Sequence, residues 1–213
     1  MTLTHYMKYL FYLSIIIACS QAKSGSYEDF FKAVELNDAG TVRALFIRGF
    51  DPNTRDPNGN VGLYLALRAE AWRSAEAIFE YTGTDIDAPN QVGETPLMMA
   101  ALRGQLEWCR RLVARGAKVN RDGWTPLHYA AAGPSDELTR WFVEQRAAID
   151  ARSPNGSTPL MLASAYGSID GATTLLARGA NSKLRDSRGM TAADFARGAG
   201  RDRLAQQLDA ATR

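Results

Sequence analysis

The sequence is poor in the residues that most often carry chemistry. It holds two cysteines and two histidines in 213 residues, and His5 and Cys19 fall in an N-terminal stretch set apart below. The remaining His128 and Cys109 cannot supply the four-ligand shell of a structural zinc. There is no Gly-rich loop ending in Lys-Ser/Thr and no His-Glu-x-x-His pair, so neither a phosphate cradle nor a zinc-protease helix is expected. Charge of one sign is lacking as well. Lys and Arg number 25 against 23 Asp and Glu, a net charge of +2 without a block of like residues, which excludes the basic stripe that grips nucleic acid. What is present is ordinary globular composition, 46% apolar and 23% charged, enough to bury a core.

The first stretch differs in kind. After Lys8 come eleven mostly apolar, uncharged residues, Tyr9–Cys19, short of the about 20 needed to cross a bilayer. A basic start, a short apolar run and the small-residue exit Ser20-Gln21-Ala22 fit a secretory signal cut between Ala22 and Lys23. The signal works equally from Met1 or Met7. A second reading stays open: Ile16-Ile17-Ala18-Cys19 resembles a lipobox, in which Cys19 carries the lipid. The expected organisation is a signal peptide over 1–22, a short polar linker over 23–26, and one domain over 27–213. With the leader removed, Cys109 has no cysteine partner, and its helical setting predicts a buried thiol.

The rest of the chain repeats. Thr95-Pro96-Leu97, Thr125-Pro126-Leu127-His128, Thr158-Pro159-Leu160 and Thr191-Ala192-Ala193 follow one another at spacings of 30, 33 and 33 residues. A Gly stands two positions before each Thr: Gly93, Gly123, Gly156 and Gly189. Small pairs (Ala100-Ala101, Ala130-Ala131, Ala163-Ser164) and apolar pairs (Leu112-Val113, Phe142-Val143, Leu175-Leu176) recur downstream. Each unit closes on Gly116-Ala117, Arg146-Ala147 or Gly179-Ala180. Thr caps the first helix with its hydroxyl, and Pro at the first helical position forfeits no bond. The small pair lets helices approach, the apolar pair fills the gap between them, and Gly ends the second helix in the left-handed region.

A repeat of this length and residue order resembles the ankyrin-repeat family. The resemblance covers about residues 27–212 and implies an all-α solenoid of six stacked helix pairs with projecting β-turn fingers. Its expected parts are an N-terminal cap (27–55), a degenerate repeat (56–89), three clear repeats (90–121, 122–153, 154–186) and a C-terminal capping repeat (187–213). The last should present Asp194, Arg197, Arg201, Asp202, Arg203 and Gln206 on helices that face no further neighbour. Three departures stand out. The interval Gly116–Gly123 is three residues shorter than Gly49–Gly59, Gly83–Gly93 and Gly179–Gly189. Arg146 replaces a closing Gly, and Gly133-Pro134-Ser135 replaces the usual turn between helices.

The resemblance also implies the function: binding of another protein through finger tips and the concave helix face, with no catalytic residues, no cofactor, no metal, no small-molecule substrate and no nucleic acid. His128, in the Thr-Pro-Leu-His motif, is expected to be structural. Trp124 stands at a finger position whose side chain normally points to solvent, and a large aromatic there has the chemistry of a binding anchor; the alternative is that the short finger folds it back. Gln91, Glu94, Arg121, Asp122, Asn155, Ser157, Arg188 and Met190 should share its edge, with Leu102, Arg103 and Tyr166 on the concave helices. At least one of Met98, Met99 and Met161 should line that groove.

A monomer in the periplasm is expected, attached to the membrane only if Cys19 is lipidated. It would act as an adaptor or accessory factor, for example for an enzyme of oxidative defence, or instead as an immunity-type inhibitor of a toxic hydrolase. The leader generates the first test. Protein isolated from expressing cells should begin at Lys23 by N-terminal sequencing; fatty-acid labelling that Cys19→Ser abolishes would establish the lipobox instead.

Overall fold

The computed structural model describes residues 25–211; the expected signal peptide, its cleavage site, Met7 and Cys19 all lie outside the described residues. Residues 25 and 26, assigned above to the linker, are already helical. The described residues are all-helical, with one isolated bridge between Arg55 and Val61. They form two compact units divided between Asp85 and Ile86.

The first unit contains α1 (25–35), α2 (Ala39–Ile47), α3 (Gly62–Arg68) and α4 (Trp72–Glu80). Its core is aromatic: Phe30 is fully buried and its ring lies 4.9 Å from Phe50 and 5.8 Å from Phe46. The degenerate start Asn60-Val61-Gly62-Leu63 still begins a helix, although Val61 provides no side-chain cap. Gly62 is required by packing, since a Cβ there would overlap the Phe30 ring.

The second unit contains four helix pairs: α5 (Pro96–Leu102) with α6 (Leu106–Ala114), α7 (Pro126–Ala132) with α8 (Asp136–Glu144), α9 (Pro159–Ala165) with α10 (Ile169–Ala177), and α11 (Ala192–Gly198) with α12 (Asp202–Ala210). The first helices stack α5 on α7, α7 on α9 and α9 on α11. Ala100, Ala101, Ala130, Ala131 and Ala163 are buried between them, and Leu112, Phe142 and Leu175 fill the second layer. Cys109 is fully buried and unpaired, and that burial pushes its thiol well above the usual range.

Second helices close in one way across the repeats. The amide of residue 116, 146 or 179 donates three residues back, and the next amide donates five back: Gly116 to Val113 and Ala117 to Leu112, Arg146 to Val143 and Ala147 to Phe142, Gly179 to Leu176 and Ala180 to Leu175. That geometry requires positive φ, which is 101° at Gly116, 92° at Gly179 and 60° at Arg146. Arg146 therefore holds a conformation that costs a non-Gly residue about 1 kcal/mol. Helix α4 departs from the rule: it ends on an extended Tyr81, and the Thr84 hydroxyl donates to the Ile78 carbonyl at 2.6 Å.

Turns between paired helices are left-handed at Asn37, Glu70, Gly104 and Gly200. At Gly133 the chain is instead extended (φ −79°, ψ 178°), as the Gly-Pro-Ser replacement foreshadows, and Ser135 caps α8 by accepting from the Leu138 amide. The neighbouring turn at Gly167 runs so close to α7 that a Cβ would overlap the Ala131 carbonyl oxygen.

Two expectations are corrected. Arg201 does not belong to an idle polar face: its guanidinium donates to the carbonyls of Ala163, Ser164 and Gly167 at 3.1, 3.3 and 2.8 Å, capping α9. Met98, Met99 and Met161 are all buried, so none lines a groove. Three substitutions test this packing by denaturant melts. Gly167→Ala should cost roughly 3 kcal/mol or more through backbone displacement, and Ala130→Leu about 1–3 kcal/mol through overpacking. Arg146→Gly should gain up to about 1 kcal/mol by relieving the left-handed residue; destabilisation would show that Arg146 side-chain contacts outweigh its strain.

Candidate functional site

Every candidate residue lies in the second unit, Arg103 and Tyr166 at helix ends and the rest on fingers. In three fingers of the described chain an Asp or Asn sits three residues before the turn Gly and accepts from two backbone amides. Asp56 accepts from Asn58 and Asn60, Asn90 from Val92 and Glu94, and Asp186 from Arg188 and Met190. Two backbone bonds close each hairpin, as in Asn90 N–H to Glu94 O at 2.8 Å and Gly93 N–H to Asn90 O at 3.1 Å. In the 153–157 finger, Ser153 makes the same backbone pair and Asn155 accepts from Ser153 Oγ and the Ser157 amide. The Asp186 carboxyl is buried, which raises its pKa. The Met190 and Arg188 amides and the Arg188 guanidinium outweigh that and hold it below the usual carboxylate value.

A second rule ties repeat to repeat. The residue four places after each closing position accepts from a backbone amide of the following unit: Asn53 from Asp85 (2.7 Å), Asp87 from Lys118 (3.3 Å), Asn120 from Ala148 (2.7 Å) and Asp150 from Asn181 (2.9 Å). Asn53 and Asn120 also donate back, to the carbonyls of Gly83 and Arg146. The position next falls on Lys183, which has no acceptor to offer.

Helix starts follow a third rule. The third helical residue accepts from the amide of the capping Thr, and four side chains do this in turn: Met98 Sδ and Met161 Sδ (3.4 Å each), His128 Nδ1 (3.2 Å) and Asp194 Oδ2 (2.9 Å). His128 alone reaches onward, from Nε2 to the Ser157 carbonyl at 3.0 Å. A ring that accepts an amide at Nδ1 must carry its proton on Nε2, so His128 is neutral and links α7 to the next finger. Its structural role, expected from the motif, is therefore visible as bonds.

Trp124 is half-buried between Gly123 and the Thr125 cap, and its ring meets His128 edge-on at 5.3 Å and Tyr129 at 6.2 Å. The short finger has thus laid part of the indole against its own helix and left part in solvent. Tyr129 donates to Glu94 Oε1 of the preceding finger at 2.7 Å, and Arg121 pairs with Asp87 at 3.2 Å. Glu94 and Arg121 are half-buried in these bonds, whereas Gln91 and Asp122 are exposed. Arg188 is exposed, its guanidinium shared between Asp186 and the Phe195 ring, and Met190 is half-buried. On the helices, Arg103 is exposed and Tyr166 is 70% exposed at the end of α9.

Ser157 is a correction: it is 1% exposed and its carbonyl receives His128, so it lies inside the finger and presents nothing to a partner. In the second unit two exposed apolar residues escaped the sequence reading. Val92, 70% exposed, tips the 90–94 finger, and Ile169, 55% exposed, follows Tyr166 at the start of α10. The Asn-x-x-Gly hairpin pattern places Val92 at the tip and was the available signal. Among the described residues no cluster of three or more His, Cys, Asp or Glu could hold a metal ion, and no helix is long and apolar enough to cross a membrane.

Burial pushes His128 from 6.5 down to about 4, against the Ser157 and Ala151 carbonyls, which act to raise it. Because the folded value lies below the unfolded one, the neutral ring stabilises the fold fully above pH 6.5. That stability is lost as pH falls towards 4. The loss amounts to about 3 kcal/mol. Lowered carboxylates such as Asp186 and Asp194 titrate below 3.8, so the window between belongs to His128. Urea midpoints should fall between pH 6.5 and 4.5 in the native chain and stay flat in His128→Met, which copies the side chain used by two sister repeats.

A family model described as ankyrin repeats in three copies matches residues 30–122, 69–152 and 118–186. Among curated proteins, the chain is similar to the Transient receptor potential cation channel subfamily A member 1 homolog of Caenorhabditis elegans, 35% identical over 111 residues, 51% of this chain and 9% of that protein. It is 45% identical over 75 residues to Neurogenic locus notch homolog protein 4 of Homo sapiens, 33% of this chain and 4% of that one. It is 29% identical over 169 residues to Tyrosine-protein kinase Shark of Drosophila melanogaster, 76% of this chain and 18% of the kinase. The chain thus spans only a small part of each, and the shared element is the repeat. Repeats of this type are protein–protein interaction modules, typically non-enzymatic scaffolds. From the matched models and the helix-pair architecture together, the chain belongs to the ankyrin-repeat family.

Proposed function

We propose that this chain is an exported, periplasmic binding protein without catalysis of its own, which grips a partner protein along the finger edge of the second unit. The observation that carries the reading is Trp124. Its indole is half in solvent, yet its orientation is set by His128 and Tyr129, which are themselves bonded to the fingers on either side. A large aromatic ordered before binding loses little entropy on contact, which is the property of an interface hot spot. Gln91, Val92 and Asp122 are exposed on the same row of fingers. Export rests on the leader-like first 22 residues.

Within that reading the chain acts as an adaptor or accessory factor, with support of an oxidative-defence enzyme as one form; the competing role is inhibition of a toxic hydrolase. A partner recovered by affinity capture from periplasmic extract, and identified by mass spectrometry, separates them. Its activity is kept or raised by an adaptor and abolished by an inhibitor. Titration calorimetry with that partner should show Trp124→Ala weakening binding by about 2 kcal/mol or more. Gln206→Ala, on an exposed face of α12, should change it by less than about 0.5 kcal/mol. Unaltered affinity in the folded Trp124→Ala protein would move the binding surface off this edge.

A further inference from the structure

The three-residue deletion in the short finger has a specific structural result. In the other repeats the residue that ties one unit to the next and the residue that closes the hairpin are separate and three apart: Asn53 and Asp56, Asp87 and Asn90, Asp150 and Ser153. Between Gly116 and Gly123 both positions fall on Asn120, four after the closing Gly and three before the turn Gly. One side chain cannot do both. Asn120 serves the next repeat, accepting from the Ala148 amide and donating to the Arg146 carbonyl. The hairpin is therefore never closed. No backbone–backbone hydrogen bond forms among residues 118–124, while every other finger of the described chain makes two. The amide of Trp124 has no side-chain acceptor, unlike its counterparts Asn60, Glu94 and Met190.

The missing tip leaves a notch of about 690 Å3 lined by Lys118, Asn120, Arg121, Asp122 and Ala148. Its volume lies within the usual range of ligand sites, roughly 300–1,000 Å3. Lys118 and Asp122 are exposed at its mouth. An unpaired run of main chain beside an open slot is the feature that backbone-pairing recognition uses, where an added strand supplies the missing partners.

We propose that the notch lined by Lys118, Asn120, Arg121, Asp122 and Ala148 takes an extended segment of the partner protein, whose main chain pairs with the amides and carbonyls that the short finger leaves open over residues 119–124. This deepens the binding role proposed above and rests on it. Main-chain pairing sets the orientation, and Lys118 and Asp122, of opposite charge, favour a segment carrying an acidic and a basic residue.

The probe is a peptide selected from a random phage-displayed library on the full chain, then synthesised. A second form of it is N-methylated at alternate backbone amides. Inserting Ala-Pro-Asn after Asn120 restores the spacing of Asp87-Ala88-Pro89-Asn90 and should close the hairpin. The native chain should bind the peptide, and both the insertion and N-methylation should weaken binding roughly tenfold or more. On binding, hydrogen exchange should slow at the amides of residues 119–124 and not at Gly93, Gly156 or Gly189. A library that yields no peptide protecting those amides, or a peptide that binds the insertion variant or its own N-methylated form equally well, overturns the proposal. So does protection that rises with protein concentration without peptide, which would make the occupant a second copy of this chain. Should the insertion variant fail to fold, N-methylation and exchange on the native chain decide alone. Weakening by Trp124→Ala with indifference to the insertion would sink the notch and leave the edge-binding role standing.

Discussion

Four repeats are tied to the next by one side-chain acceptor placed four residues after the position that closes the second helix. A helix pair of this size cannot bury its apolar face alone, so it must meet the next pair in one register. Burial is non-directional and sets no register. A carboxylate or amide oxygen aimed at one backbone amide does. Asn53, Asp87, Asn120 and Asp150 each supply such a bond, and the two asparagines add a donor that also fixes the closing turn. Where the series reaches Lys183 the acceptor is gone, and the last unit is held by other means, including Arg201 reaching back over the carbonyls of α9.

Helix starts show how loosely chemistry is specified when geometry is kept. Methionine sulfur, imidazole nitrogen and carboxylate oxygen all accept the amide of the capping Thr. Each is an acceptor at the end of a side chain long enough to turn back one helical step. What differs is the second atom. The sulfur has no second polar atom and the second carboxylate oxygen of Asp194 accepts from Arg197 of its own helix, whereas imidazole has a donor on its far side, and only His128 ties its helix to the following finger. The identity of that residue decides whether its helix is bonded to the following finger.

The fold was legible because its signals are local and periodic: Thr-Pro starts, small pairs, closing glycines, and the left-handed demand at Arg146 all appear in the structure at the expected places. The short finger and the altered joint at Gly133 were legible too, since a missing residue or a missing turn changes spacing. Side chains whose partners lie about one repeat away were harder. Arg201 reads as solvated surface until the α9 carbonyls are seen beneath it, 34 to 38 residues distant in sequence. Ser157 reads as a finger tip, yet a backbone kept inside by His128 buries it. The methionines of α5 and α9 read as adaptable groove residues, whereas close stacking of neighbouring helices leaves them no solvent. In each case the deciding contact was made by another unit, and a period shows where units recur without showing which atoms meet.

The short finger combines the loss of one kind of bond with the gain of another. It has given up the internal bonds that stiffen its sisters, each worth about 1 kcal/mol net, and by that measure alone it should be the loosest. Its ties to neighbours run the other way. Arg121 and Tyr129 reach back to Asp87 and Glu94, while Asn120 and His128 reach forward to Ala148, Arg146 and the Ser157 carbonyl. The segment is held at both ends by side chains while its main chain makes no backbone–backbone bond of its own. A surface that is ordered but unsatisfied already carries much of the entropic cost of ordering, so a partner supplying the missing bonds gains them with less to lose. A hairpin closed on itself offers only its side chains. That difference separates this finger from the other fingers of the chain.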